Sequence, residues 1–113
     1  MLRDESYLLD ILIFAKDARD LSAGLSWDEF QTSRLHQLAI SKTLEMIGEA
    51  ASKISSETRA AHPAIPWNDI VGMRNRLVHD YLRVDLLKVW DTVQNDITPL
   101  IDSIEPLVPK DNP

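Results

Sequence analysis

The amino-acid sequence predicts an all-α protein, and three observations carry that expectation. Apolar residues recur at spacings of three and four through almost every long segment, the period of a helix with one buried face. No stretch alternates apolar and polar residues as a half-buried strand would. The breaks between segments hold helix-stop and helix-start residues rather than hairpin turns. Main helices joined by short links most simply make an antiparallel bundle of four to five helices.

The first helix is marked by Leu8, Leu12, Ala15 and Leu21, an apolar stripe thickened by Ile11 and Phe14. Gly24 suits its end, since glycine accepts the left-handed backbone that closes many helices. Ser26 with Glu29 three places on is a capping-box pattern for the next start. From Leu35 onward Ile40, Leu44, Ile47, Ala51 and Ile54 alternate spacings of four and three, which makes a core stripe. Glu45 and Glu49 share one face beside it, where one of them can face the arginines of a neighbouring helix.

The run "SSETRAAHPAIPW" reads as a connection with one short helical turn after Ser56. A residue before proline is steered away from the helical region, so His62 and Ile65 are expected to be extended, with His62 packed or capping. Pro66 fits a first helical position. The next helix is expected from Trp67 to His79 or Asp80, burying Trp67, Ile70, Met73 and Leu77. The last segment repeats Leu86, Trp90, Val93, Ile97, Leu100, Ile104 and Leu107. Pro99 has no amide to give the backbone ladder and is expected to kink this helix. One helical domain over 1–107 and a frayed tail over 108–113 follow.

The totals narrow the function. At 113 residues the chain can bury one core but is short for two. Without cysteine there is no disulfide and no thiolate chemistry. "YLLDILIFA" is broken by Asp10 and followed at once by Lys16, Asp17, Arg19 and Asp20, too short and too charged to span a bilayer. A soluble, cytoplasmic protein without membrane contact is expected. A net charge of -6 argues against general coating of nucleic acid, which needs many cations. The charge is uneven, though. Between Gly72 and Lys88 stand Arg74, Arg76, Arg83 and Lys88 against Asp80 and Asp85 alone, a local positive site on an acidic body.

That site is the stretch "GMRNRLVHDYLRVD". Asn75 and His79 are four apart and share a helix face, whereas Arg74 and His79 are roughly 140° apart on an ideal helix. Two copies of the helix across a two-fold axis would bring the groups together more easily. Histidine exchanges protons near neutral pH, and arginine offers phosphate a fixed fork of donors. RNA supplies its own nucleophile in the 2′-hydroxyl, so a base and a cation suffice without metal. The plainer alternative makes His79 a cation at a helix C-terminus and the arginines solvated. No metal site and no cofactor are expected. His36, His62 and His79 stand in separate segments, and no glycine-rich phosphate loop or GxSxG elbow exists.

"RNRLVHDY" matches the pattern R-x4-H-x-Y through Arg74, His79 and Tyr81, with Asn75 after the arginine. In this it resembles the signature of HepT-like proteins, in the HEPN superfamily of small helical domains. "MIGEAASKIS", "HPAIPWNDIVGMRNRLVHDY" and "VDLLKVWDTV" are similar to that family's consensus in order and spacing, from about residue 35 to 100. The resemblance implies a two-fold homodimer with two such motifs in a shared cleft, and metal-independent cleavage of RNA. It also implies the toxin of a prokaryotic type VII-like toxin–antitoxin pair, whose antitoxin, a minimal nucleotidyltransferase, adds AMP to the motif tyrosine. Carried onto this chain, Arg74 and His79 are catalytic, Asn75 supports them, and Tyr81 is the AMPylation position; Arg76, outside the motif, is expected from its charge to meet substrate phosphate. The alternative function is a non-catalytic helical dimer that binds a nucleotide or the nucleotidyltransferase partner.

Overall fold

Helix α1 (Arg3–Ser22) opens the computed structural model, which describes residues 3–80 and 83–109. Its end follows local chemistry. Gly24 takes a φ of +73°, and the Leu25 amide donates to the Ser22 carbonyl at 3.0 Å. The expected capping box is present at α2 (Trp27–Thr32): Ser26 Oγ accepts from the Glu29 amide at 3.1 Å, and Glu29 Oε1 accepts from the Ser26 amide at 3.0 Å. Helix α3 (Arg34–Ser52) starts afresh after Ser33, whose hydroxyl accepts from the His36 amide. The core stripe of α3 is buried as read, at Ile40, Leu44, Ile47, Ala51 and Ile54. Leu35 is not part of it and stands 74% exposed.

Helices α1 and α3 run antiparallel, because the first turn of α1 meets the segment just after α3. Asp4 accepts from the Ser55 amide at 3.1 Å and from the Thr58 hydroxyl at 2.6 Å, and also from the Ser55 hydroxyl. Ser55 in turn caps α4 (Ser56–Ala61), the short turn expected there. The Ser55 and Thr58 hydroxyl bonds hold the Asp4 carboxyl below the usual carboxylate range. A depressed folded-state value contributes stability above the unfolded value, and that stability is lost as pH falls through the folded one. Asp4→Asn is therefore expected to lower the melting temperature at neutral pH and to flatten its decline below about pH 4, measured by thermal melts across the acid range.

The stripe of α1 departs from expectation at one residue. Leu8, Ile11, Leu12 and Ala15 are buried, but the pattern continues through Ala18 and Ser22, while Leu21 is 37% exposed. Residue 21 lies six places beyond Ala15, roughly 240° around the helix, so it faces outward once the helix persists. Helix α5 (Trp67–His79) has the expected extent, but Pro66 is its cap residue rather than its first helical one; the Pro66 carbonyl accepts the first bond, from the Ile70 amide. His62 caps the end of α4, and its carbonyl accepts from the Trp67 indole at 3.1 Å.

The expected long final helix is two helices, α6 (Leu86–Asn95) and α7 (Ile97–Ile104), then a short 3-10 turn at Glu105–Leu107. Pro99 explains the break. It cannot donate to the carbonyl of Asn95 and its ring crowds that carbonyl, so the ladder fails one turn upstream, at Asp96. The stripe itself holds across the break, with Val93, Ile97, Leu100 and Ile104 buried. Trp90 is half-buried and packs on Phe30, ring centroids 5.3 Å apart, and on Trp27 at 6.1 Å, which ties α6 to α2.

Helix α3 packs against both α1 and α5, and α1 also packs on α7, so the bundle has α3 and α1 at its centre. Among the described residues there is no strand, and no helix is long and apolar enough to cross a membrane. Helix α5 lies chiefly on α3, and a cleft of about 430 Å³ separates it from α6 and α7. The expected frayed tail lies, from residue 110 on, outside the described residues.

Candidate functional site at the end of the fifth helix

The site begins with a glycine on the neighbouring helix. Gly48 of α3 faces α5 so closely that a Cβ there would overlap Arg74 Cβ and stand 3.0 Å from both Arg74 Cγ and the Ile70 carbonyl. The stem of Arg74 therefore lies across the α3 backbone, and its head emerges beside Glu49. Arg74 Nη2 is 2.7 Å from Glu49 Oε2, and Arg74 Nη1 donates to Asn75 Oδ1 at 2.9 Å. Arg74 Nε is buried and has no hydrogen-bond partner among the described residues. Each terminal nitrogen carries two N–H groups, so one on each stays uncommitted by these bonds.

The ion pair belongs to a longer chain of contacts. Glu49 is also 3.6 Å from Lys53 Nζ, and that ammonium sits 5.6 Å from the centre of the Tyr7 ring. Helices α3 and α5 thus orient the guanidinium, through Glu49 and Asn75. Of the two carboxylates read as candidates to face the arginines, Glu49 does so; Glu45 pairs with Lys42 at 3.4 Å instead.

The other expected site residues diverge from Arg74. Arg76 stands roughly 200° around the helix from it and lines the cleft opposite Lys88 of α6. His79 is the last residue of α5, exposed, with no hydrogen-bond or ion-pair partner among the described residues. Because α5 is unbroken from Trp67 to His79, the Arg74 and His79 side chains of one chain leave the helix in different directions. Asn75 and His79 lie on the shared outer face, as the four-residue spacing predicts, and both are exposed. The Asp80 amide donates to the Arg76 carbonyl at 2.9 Å, and the Arg83 amide to the Asp80 carbonyl at 2.7 Å. Tyr81 lies outside the described residues.

Sequence reasoning left open which carboxylate orients Arg74. The available signal was "IGEA" within α3: a glycine that lets another helix approach, followed at once by an acid.

Known proteins resemble this chain in sequence along most of its length. The family model "Ribonuclease HepT-like" matches residues 11–107. The protein named "Putative RNase MJ0125" of Methanocaldococcus jannaschii is 33% identical over 104 residues, covering 92% of this chain and 90% of its own. "Probable ribonuclease HepT" of Thermococcus cleftensis is 33% identical over 103 residues, 91% of this chain and 94% of its own. "Putative RNase TTE0752" of Caldanaerobacter subterraneus is 32% identical over 88 residues, 78% and 79% of the two chains. No solved structure gives a significant match. The chain belongs to the HepT-like ribonuclease family.

Proposed function

We propose that this protein is a metal-independent endoribonuclease that works as a homodimer and serves as the toxin of a toxin–antitoxin pair. The observation that carries the reading is the stretch "RNRLVHDY", with Arg74 held by Glu49 of α3 and Asn75 of α5, and His79 at the end of α5 without a side-chain partner among the described residues. In the proposed reaction the RNA 2′-hydroxyl attacks the adjacent phosphorus. The O2′–P bond forms as the P–O5′ bond breaks, leaving a 2′,3′-cyclic phosphate and a 5′-hydroxyl. His79 takes the 2′-hydroxyl proton, and water supplies one to the departing O5′. Arg74 places its two uncommitted N–H groups against the charge developing on phosphorus.

The divergence of Arg74 and His79 within one chain favours a site built from two copies. The outer face of α5 carries Val71, Gly72, Asn75, Val78 and His79, and at Gly72 a Cβ would meet nothing within 4 Å. A small residue flanked by valines lets a second helix approach closely. Facing helices of two copies would set one chain's Arg74 toward the other's His79.

Tyr81, two residues beyond His79 in sequence, is the proposed point of control. A partner nucleotidyltransferase would move AMP from ATP onto its hydroxyl, releasing pyrophosphate. The added phosphate could then pair with Arg74 or Arg76 and take the place of substrate phosphate. One experiment tests both halves: unmodified and Tyr81-AMPylated protein are given a labelled RNA in the presence of EDTA. The unmodified sample should cut and the modified one should not. Equal cutting by both would end the regulatory proposal; no cutting until a divalent metal is restored would end the metal-independent mechanism.

A further inference from the structure

We infer that Glu49 is a positioning residue for Arg74, an arginine clamp supplied by a different helix from the one that carries the motif. The inference rests on the ribonuclease reading above and deepens it. Arginine has a long, rotamer-rich side chain, and an unrestrained guanidinium would sample many directions before it met a phosphate. Catalysis gains when such a group is held beforehand, because no reorganisation then accompanies the developing charge.

The geometry supplies that restraint at both ends of the side chain. Gly48 removes the Cβ that would push the Arg74 stem off α3, and Glu49, the next residue, takes Nη2 at 2.7 Å. Asn75 takes Nη1 at 2.9 Å from the same helix as Arg74, and Nε is turned into the protein. Only the outer edge of the guanidinium is left for a ligand. Both partners of the ion pair are about one-third exposed, 32% for Arg74 and 35% for Glu49, so an incoming phosphate can reach the cation while the clamp stays in place. Lys53 Nζ stands 3.6 Å from the other carboxylate oxygen, Glu49 Oε1, and so helps direct the carboxylate. A carboxylate that merely neutralised Arg74 would act as a brake. The shared hold of Glu49 and Asn75, one on each terminal nitrogen, is the arrangement of a clamp.

The test is a kinetic cycle on the full chain with Glu49→Gln, Glu49→Ala, Arg74→Ala and the double variant Glu49→Ala/Arg74→Ala. Glutamine keeps the size of glutamate, and the partly exposed position tolerates alanine, so thermal melts should show folded protein throughout. Glu49→Ala should lower kcat by about tenfold to a hundredfold with little change in KM, and Glu49→Gln by less. In the Arg74→Ala background the same change should cost nothing more, because its effect passes through the missing arginine. An activity-independent readout is the Arg74 Nε–H signal in an NMR spectrum, assigned by its loss in Arg74→Lys; Glu49→Ala should collapse it into the signals of mobile arginines.

A wild-type kcat in Glu49→Ala, a raised one, a loss that persists without Arg74, or an unmoved Nε–H signal would each overturn the clamp alone. Full cleavage by Arg74→Ala would instead overturn the ribonuclease mechanism, and the clamp with it. The two failures are thus told apart by which single variant keeps its activity.

Discussion

His79→Ala is expected to slow RNA cleavage by about 10²–10⁴-fold, the range seen when a general acid–base group is removed. Arg74→Ala should cost about 10²–10³-fold, the usual effect of deleting a donor aimed at developing charge. Initial rates on a labelled RNA, with product ends analysed for cyclic phosphate, measure both. His79 is exposed and without a partner among the described residues, so its loss should leave stability within about 0.5 kcal/mol of the parent. That separates a chemical role from a folding one. Arg74→Lys keeps the charge but not the fork and should recover little activity.

Mixing the two alanine variants gives the same prediction a second edge. If one chain's Arg74 works with the other chain's His79, a mixed dimer holds one site with both lesions and one with neither. Unfolding and refolding the two inactive proteins together should then restore cleavage that neither shows alone. Continued inactivity of a proven mixed dimer would show that each site draws both groups from one chain, against their divergence on α5.

Gly48→Ala is the second large effect, and it concerns the frame that holds the site. The new methyl would overlap Arg74 Cβ and crowd the Ile70 carbonyl, which is backbone and cannot swing aside. Helices α3 and α5 would have to separate, at a cost of about 1–3 kcal/mol for overpacking despite the better helix propensity of alanine. Denaturant titration should show a lower midpoint with an unchanged slope. Gly72→Ala is the matched control: its Cβ meets nothing in the chain, so the monomer should gain about 0.5–1 kcal/mol. A loss of stability or of dimer at Gly72 would place a second copy against that face. A Gly48→Ala variant as stable as the parent would overturn the close approach of α3 and α5 at this glycine.

Much of the bundle was legible because its signals are local. The Ser26–Glu29 box, the turn at Gly24 and the limits of α5 depend on a few adjacent residues, and each is where the sequence places it. Leu21 and Leu35 misled because apolar residues near a stripe were counted into it, although a persisting helix rotates them outward. Pro99 signals a kink in the last helix without saying where it falls. The lost bond belongs to the carbonyl four residues earlier, so the break falls upstream, at Asp96.

The candidate site divides in the same way. The amino-acid sequence alone determined that Arg74, Asn75, Arg76 and His79 share one helix near its C-terminus, and that Arg74 and His79 leave it in different directions. A fixed rotation of roughly 100° per residue dictates both. Only the tertiary structure decided that Glu49, and not Glu45, holds Arg74, and that Arg76 faces a separate cleft beside Lys88. Those two carboxylates are four residues apart on one face of α3 and look alike in sequence. What separates them is where α5 crosses α3: Gly48, next to Glu49, lets Arg74 and the Ile70 carbonyl come close at that point.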